Sequence, residues 1–234
     1  MKKVAILQSC YIPWKGYFDL INLVDEFIIY DDVQYTRADW RNRNKIKTPQ
    51  GATWLTIPIR HKGRYRQKIR EAQVAIHGWA FKHWKAICIN YSKAQYFEEI
   101  KSYFEDLYEE CSRETYLSKI NYRFLKRIVD MIGIKTRISL SMDYEYRGDR
   151  VGALVDLCRQ VGAGIYFSGP NAKNYLDEKR FELAGIKVCW MDYGDYSTYN
   201  QLYCPPFVHE VSIIDLLMNE GIEGTRKHML SFKV

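Results

Sequence analysis

The chain has 234 residues, 47% hydrophobic and 15% aromatic, with a formal net charge of +7. That apolar content can fill a sizeable core, which excludes disorder for the chain as a whole, and the length favours one domain. The positive charge suits an anionic partner such as a sugar nucleotide, tRNA or a membrane surface, and it gathers in residues 37–47 and 60–70 rather than in one long block.

Residues 4–7 are a short apolar run closed by Gln8 and Ser9, and they read as a buried strand. Pro13 sits where a helix can start, and Trp14, Tyr17, Phe18, Ile21, Leu23 and Val24 follow with helical spacing. A second apolar run, 27–30, ends at Asp31-Asp32. Strand, helix and strand within about 30 residues predict a right-handed βαβ unit with parallel strands. Residues 39–50 are polar and basic and read as a loop, and 54–59 and 73–76 as strands. Amphipathic helices are predicted over 79–91 and 95–111, the second with Phe97, Ile100, Phe104, Leu107 and Tyr108 on one face, and a third over 116–132.

The βαβ rhythm then returns. Strands at 136–140, 164–167 and 186–191 alternate with helices at 150–160 and 178–183. Residues 203–206 read as a loop, and Ser212 caps a closing helix, 213–219, stopped near Gly221. The predicted class is α/β: a mostly parallel sheet with helices on both faces, one domain over residues 1–234, and a mainly helical insertion at about 79–132. A two-domain split near residue 133 is the alternative.

The cysteines form no CxxC pair, and no Cys/His cluster has zinc spacing, so no metal is expected. Cys88, Cys158 and Cys189 lie in apolar segments and read as reduced core residues, which fits the cytoplasm. Met1-Lys2-Lys3 leads straight into the first strand without a signal-peptide pattern, and no run of about 18 apolar residues would span a membrane.

In open α/β sheets, ligands bind beyond the carboxyl ends of the strands. Three segments fall there. In the first, Gln8 to Tyr17, a helix start offers free N–H groups to an anion and Lys15 adds charge, although no standard phosphate-loop spacing is present. In the second, Asp31 and Asp32 can act as a base, bind a metal or hold a ribose or sugar hydroxyl, with one of them facing the cleft if the strand continues. Gln34 and Tyr35 follow, then Arg41, Asn42, Arg43 and Asn44, whose forks and amides suit phosphates, hydroxyls and carbonyls. In the third, Ser168 and Gly169 permit close backbone approach, with Asn171 and Tyr175 further on. A polar, aromatic loop carrying Tyr199 and Gln201 is a fourth candidate. Each segment also reads as an ordinary solvated turn. His83 could be a general base or a packed helical histidine, and Ser9 and Cys10 are conceivable nucleophiles without a GxSxG elbow.

Taken in order, these residues resemble the WbqC-like proteins of bacterial O-antigen gene clusters over almost the whole chain. The resemblance rests on Gln8-x-x-Tyr11-x-Pro13-Trp14-x-Gly16-Tyr17-Phe18, on Asp31-Asp32-Val33-Gln34-Tyr35 and on Asn42-Arg43-Asn44-x-Ile46. It continues through Trp54 to Pro58, Trp79 with Lys82-His83, Tyr166-x-Ser168-Gly169, Tyr199-x-Gln201 and Ser212 to Leu217. Cys10 stands where proline is frequent in that family. The resemblance implies a glycine or aminoacyl transferase that acylates the amino group of a nucleotide-linked amino sugar. On that expectation, Arg41 or Arg43 and the Gln8–Gly16 helix start hold the diphosphate, with Tyr11, Trp14, Gln34, Tyr175, Tyr199 and Gln201 among the binding residues. Asp31, Asp32 or His83 takes a proton, and Asn42, Asn44 or Ser168 donates to the oxyanion. The cofactor is unassigned: the activated donor could be a thioester, an aminoacyl-tRNA or an acyl-adenylate. The opening also loosely resembles nucleotidyltransferase-like ligases that use ATP, though without their HxGH signature. A non-catalytic sugar-nucleotide-binding protein is the third reading.

Overall fold

The computed structural model describes residues 1–233. Five strands form one parallel sheet: β1 (Lys3–Leu7), β2 (Glu26–Ile29), β5 (Arg137–Leu140), β6 (Ile165–Ser168) and β7 (Lys187–Trp190), in the order β5-β2-β1-β6-β7. All four pairings are parallel. The order runs outward in both directions from β1, so the topology reverses between β1 and β6.

Strand periodicity assigns the two faces. Ala5, Phe27 and Ile29 point into one apolar cluster, and Val4, Ile6 and Ile28 into another. The first cluster gathers α1 (Lys15–Asn22), α2 (Trp79–Tyr91), α3 (Phe97–Ser112), α4 (Leu117–Met131) and α7 (Ile213–Lys227). The second gathers α5 (Arg150–Gln160) and α6 (Glu178–Glu182). Helices therefore cover both faces. The helical stretch α2–α4 shares its core with α1 and α7: Phe18, Ile100, Phe124 and Leu217 are all fully buried in the same cluster.

Residues 39–50, expected to be a loop, instead supply β3 (Arg43–Thr48), which pairs antiparallel with β4 (Gly51–Thr56) in a separate hairpin. Its period-2 pattern is hidden by polar inward residues. Asn44 and Ile46 are buried and Arg43 and Lys45 lie outward, while buried Lys47 donates to the Pro206 carbonyl. The strand expected over 54–59 stops at Thr56, since Pro58 has no N–H for a ladder. Residues 73–76 make only isolated bridges, Gln73 to Tyr116 and Val74 to Ile59. The closing helix continues to Lys227 through a break at Gly221, where φ is +67°. A Cβ there would sit 2.6 Å from the Tyr96 ring, so both conformation and contact require glycine.

Candidate functional site

A cavity of about 310 Å³ opens at the topological switch point. Cys10, Pro13 and Trp14 line it from the β1–α1 connection, Tyr17 from the first turn of α1, Asn171 from just past β6, Trp40 and Asn44 from the approach to the hairpin and its first strand, and Glu210 from the loop before α7. Gly16 is required there because the Trp14 indole folds back over it: a Cβ would lie 2.4 Å from that ring.

The β1–α1 loop is held from beneath. Buried Asp31 accepts from the Ser9 amide at 2.8 Å, from the Ser9 hydroxyl at 2.7 Å, and from Ser118. Burial pushes its carboxyl upward against the pull of those donors. Asn121 bridges the Ser9 hydroxyl and the Arg41 carbonyl, at 3.0 and 2.9 Å. Arg41 donates to the carbonyls of Gln8 and Ser9 at 3.1 and 3.3 Å and approaches the Cys10 Sγ at 3.1 Å. Ile12, at φ +37°, is a strained conformation for a β-branched residue. The Asn44 amide pins it by donating to the Tyr11 and Ile12 carbonyls at 3.1 and 2.8 Å.

An aromatic and cationic rim stands at the mouth. Trp40 and Trp54, each more than a third exposed, lie with ring centroids 5.1 Å apart. The Arg43 guanidinium sits 4.0 Å over the Trp54 ring, and the Lys45 ammonium 5.1 Å over it. Glu210 pairs with Lys45 at 3.5 Å.

Of the residues expected at a site, Trp14 and Asn44 line the cavity and Arg43 stands at its rim. Gln8 reaches it through the backbone, its carbonyl accepting from Arg41 and from Tyr17 at 2.9 Å. Gly169 lies open: a Cβ there would meet only the Tyr193 hydroxyl, at 4.0 Å. Ser168 is buried at the end of β6, its carbonyl held by Met191.

The other candidates are engaged elsewhere. Asp31 and Arg41 support the loop rather than face the cavity. Asp32 points the other way, into an ion pair with Arg70 at 2.8 Å and contacts to Lys68 and Ser141. His83 is buried, with Nδ1 2.9 Å from the Tyr11 hydroxyl, and burial lowers its pKa to about 4. Tyr11 itself is wholly buried and also meets the Tyr108 hydroxyl at 2.7 Å. Asn42 donates to the Ile57 carbonyl, and exposed Gln34 to the Tyr65 carbonyl. Tyr175 lies under the Arg150 guanidinium at 3.4 Å. Tyr199 and Gln201 both donate to buried Asp215. Lys15 is buried among the Tyr196, Tyr199 and Phe207 rings, and burial lowers its pKa to about 8.

No pattern in the sequence pointed to Glu210, which contributes the carboxylate in the cavity wall, or to the rim role of Trp54 and Lys45. Alternation of Arg43, Lys45 and Lys47 was the available sign of a hairpin. Cys10 is in the wall, but burial raises its thiol to about 11, so it is protonated at neutral pH. Among the described residues, no three His, Cys, Asp or Glu side chains gather as a metal site requires.

The model of the WbqC-like protein family matches residues 8–227. The uncharacterized protein Rv1507c of Mycobacterium tuberculosis is 51% identical over 224 residues, covering 96% of each chain. No solved structure matches.

Proposed function

The chain belongs to the WbqC-like protein family, and from that premise we propose that it is an N-acyltransferase. It joins an activated acyl or aminoacyl group, glycyl among the candidates, to the amine of a nucleotide-linked amino sugar in surface-polysaccharide assembly. The observation that carries the reading is the cavity at the switch point, with a tryptophan pair, two cations and one carboxylate at its mouth. Rings suit a sugar or a base, and Arg43 and Lys45 suit a diphosphate.

The chemistry needs a neutral amine. Glu210 takes the proton from the sugar ammonium, and the nitrogen lone pair attacks the acyl carbon. Asn171, exposed at the wall, donates to the oxyanion. The C–N bond forms, the bond from the acyl carbon to the donor's leaving group breaks with its electron pair, and the second proton shed by the nitrogen goes to that leaving group. Asp31, Asp32 and His83, each engaged away from the cavity, are not needed for these steps.

The test is incubation of purified protein with nucleotide-linked amino sugars and, separately, an acyl thioester, an aminoacyl-RNA, or a free acid with ATP. Mass spectrometry then looks for the amide. Product only from acid plus ATP, with pyrophosphate exchange, makes the protein a ligase. Tight sugar-nucleotide binding with no product from any donor makes it a binding protein.

A further inference from the structure

The residues 59–74 form a loop whose ends are closed on each other. Ile59 bridges Val74, and the Arg60 amide donates to the Gln73 carbonyl at 2.8 Å. Its return limb is pinned to the segment leaving β2: Gln34 bridges Lys68, the Ile69 amide donates to the Val33 carbonyl, and the Arg70 amide to the Asp31 carbonyl. The buried Gln67 side chain crosses the loop to the Arg60 carbonyl at 2.8 Å. This is a fixed Ω-loop, not a slack connection.

Its tip is entirely exposed and basic. Arg60, His61, Lys62, Arg64, Tyr65 and Arg66 all face solvent, and Tyr65 is 77% exposed. Among the described residues, Arg60, Lys62, Arg64 and Arg66 have no ion-pair partner; Arg64 donates only to the Gln73 amide oxygen, at 3.3 Å. Holding like charges together costs stability, and ordering the loop in advance lowers the cost of binding a polyanion. The loop stands at the carboxyl edge of the sheet, the edge where the cavity opens. Five residues of chain, 55–59, separate Trp54 at the rim from Arg60, so the two lie at most about 22 Å apart. Cations, an exposed tyrosine and then a tryptophan pair describe a path for a strand with phosphates along it and stacking bases at its end. Arginine forks outnumber lysine at the tip, which suits phosphodiester oxygens.

We propose that the loop tip Arg60–Arg66 is an RNA-docking surface that leads the acceptor end of an aminoacyl-RNA donor to the Trp40–Trp54 rim. This rests on the acyltransfer reading for its purpose, and the experiment separates the two because it involves no chemistry. Fluorescence anisotropy is measured with uncharged bulk tRNA and with a labelled single-stranded RNA of about 20 nucleotides, from about 0.05 to 0.2 M salt. The full chain is compared with R60Q/K62Q/R64Q/R66Q, whose exposed side chains leave the core intact, checked by an unchanged thermal midpoint.

The expected result is salt-dependent binding that weakens at least about tenfold in the variant, with the slope of log affinity against log salt reduced by about 3. W54A is expected to weaken binding while leaving that slope unchanged. No binding by the full chain at the lowest salt, or equal affinity and slope in the variant, overturns the proposal. So does tight binding to phosphatidylserine vesicles without binding to RNA, which would make the tip a membrane contact. Amide formation from a thioester in a chain that ignores RNA would remove this docking surface and keep the acyltransfer reading. RNA binding without any amide product would do the reverse.

Discussion

Ser9 and Asp31 are joined twice, the carboxylate accepting from the Ser9 amide at 2.8 Å and from its hydroxyl at 2.7 Å. The pair ties the residue just past the end of β1 to the residue just past the end of β2, beneath the cavity floor. The strained Ile12 follows three residues later, so the shape of the floor depends on this tie and on the Asn44 clamp. A carboxylate that looks like a catalytic base in the sequence is here the fixed point from which the cavity is built.

Removing that point should unfold the floor before it alters any chemistry. Asp31→Ala leaves the buried Ser9 amide and the Ser9 and Ser118 hydroxyls without their acceptor, and is expected to cost roughly 2–4 kcal/mol. Ser118→Ala removes one donor and should cost about 1 kcal/mol. Urea denaturation measures both. A loss below about 0.5 kcal/mol for Asp31→Ala would mean that the tie contributes nothing to stability.

Stability should fall on mild acidification because of His83. Its imidazole titrates at about 4 in the fold, through burial beside Tyr11 and Trp79, against an ordinary value of 6.5. Between those pH values the unfolded chain holds the proton and the folded chain does not. Protons therefore favour unfolding: stability is complete above pH 6.5 and declines toward pH 4, by roughly 3 kcal/mol in total. His83→Phe, which leaves the Tyr11 hydroxyl bonded to Tyr108, should flatten this slope relative to the parent chain. Parallel slopes in the two proteins would show that the decline belongs to carboxylates alone.

Glu210→Gln separates chemistry from folding. The side chain is 75% exposed and its pair with Lys45 is a surface contact, so the thermal midpoint should hardly move. If Glu210 is the base for amide formation, product formation should fall about 10²–10⁴-fold while sugar-nucleotide binding persists. Undiminished turnover would move the base elsewhere on the cavity wall.

Much of the sheet was legible because parallel strands covered on both faces announce themselves as short apolar runs. Val4 to Leu7 and Phe27 to Ile29 do so; β6 and β7 are also short apolar runs, although β7, at the sheet edge, is only partly buried. The hairpin was not legible because Asn44 and Lys47 are buried by hydrogen bonds to distant carbonyls, of Tyr11, Ile12 and Pro206. Periodicity of polarity reads burial only where burial is apolar. The same limit governs the site. Trp14 and Asn44 sit near the cavity because strand ends place them there, but spacing cannot say that Asp31, Arg41 and Gln201 spend their polar atoms on loops and on buried Asp215. Nor can it bring Glu210 from beyond the Tyr203–Pro206 turn to the β1–α1 loop, since that contact exists only once α7 has packed.

Lys15 gives a pH dependence of the same sign as His83, in an alkaline window. Its ammonium lies 4.7 Å over the Tyr196 ring and 5.2 Å over that of Tyr199, with the Ser197 carbonyl 3.5 Å away. Both tyrosine hydroxyls are committed, to Asp19 and to Asp215, and those two carboxylates attract the ammonium without an ion pair to it. Desolvation outweighs these attractions and lowers its pKa to about 8 from 10.5. From pH 8 to 10.5 the unfolded chain retains a proton that the folded chain has released, so stability contributed by this group rises with pH across that window. Below it, the fold carries an ammonium that would be better hydrated outside. Lys15→Met keeps the length and apolar stem, and is expected to stabilise the protein by about 1 kcal/mol at neutral pH once solvent screening is allowed for. The variant should also lose the alkaline rise. Denaturant midpoints taken from pH 7 to 10 test both, and a Met variant less stable than its parent at neutral pH would show that the aromatic cage holds the cation more strongly than desolvation expels it.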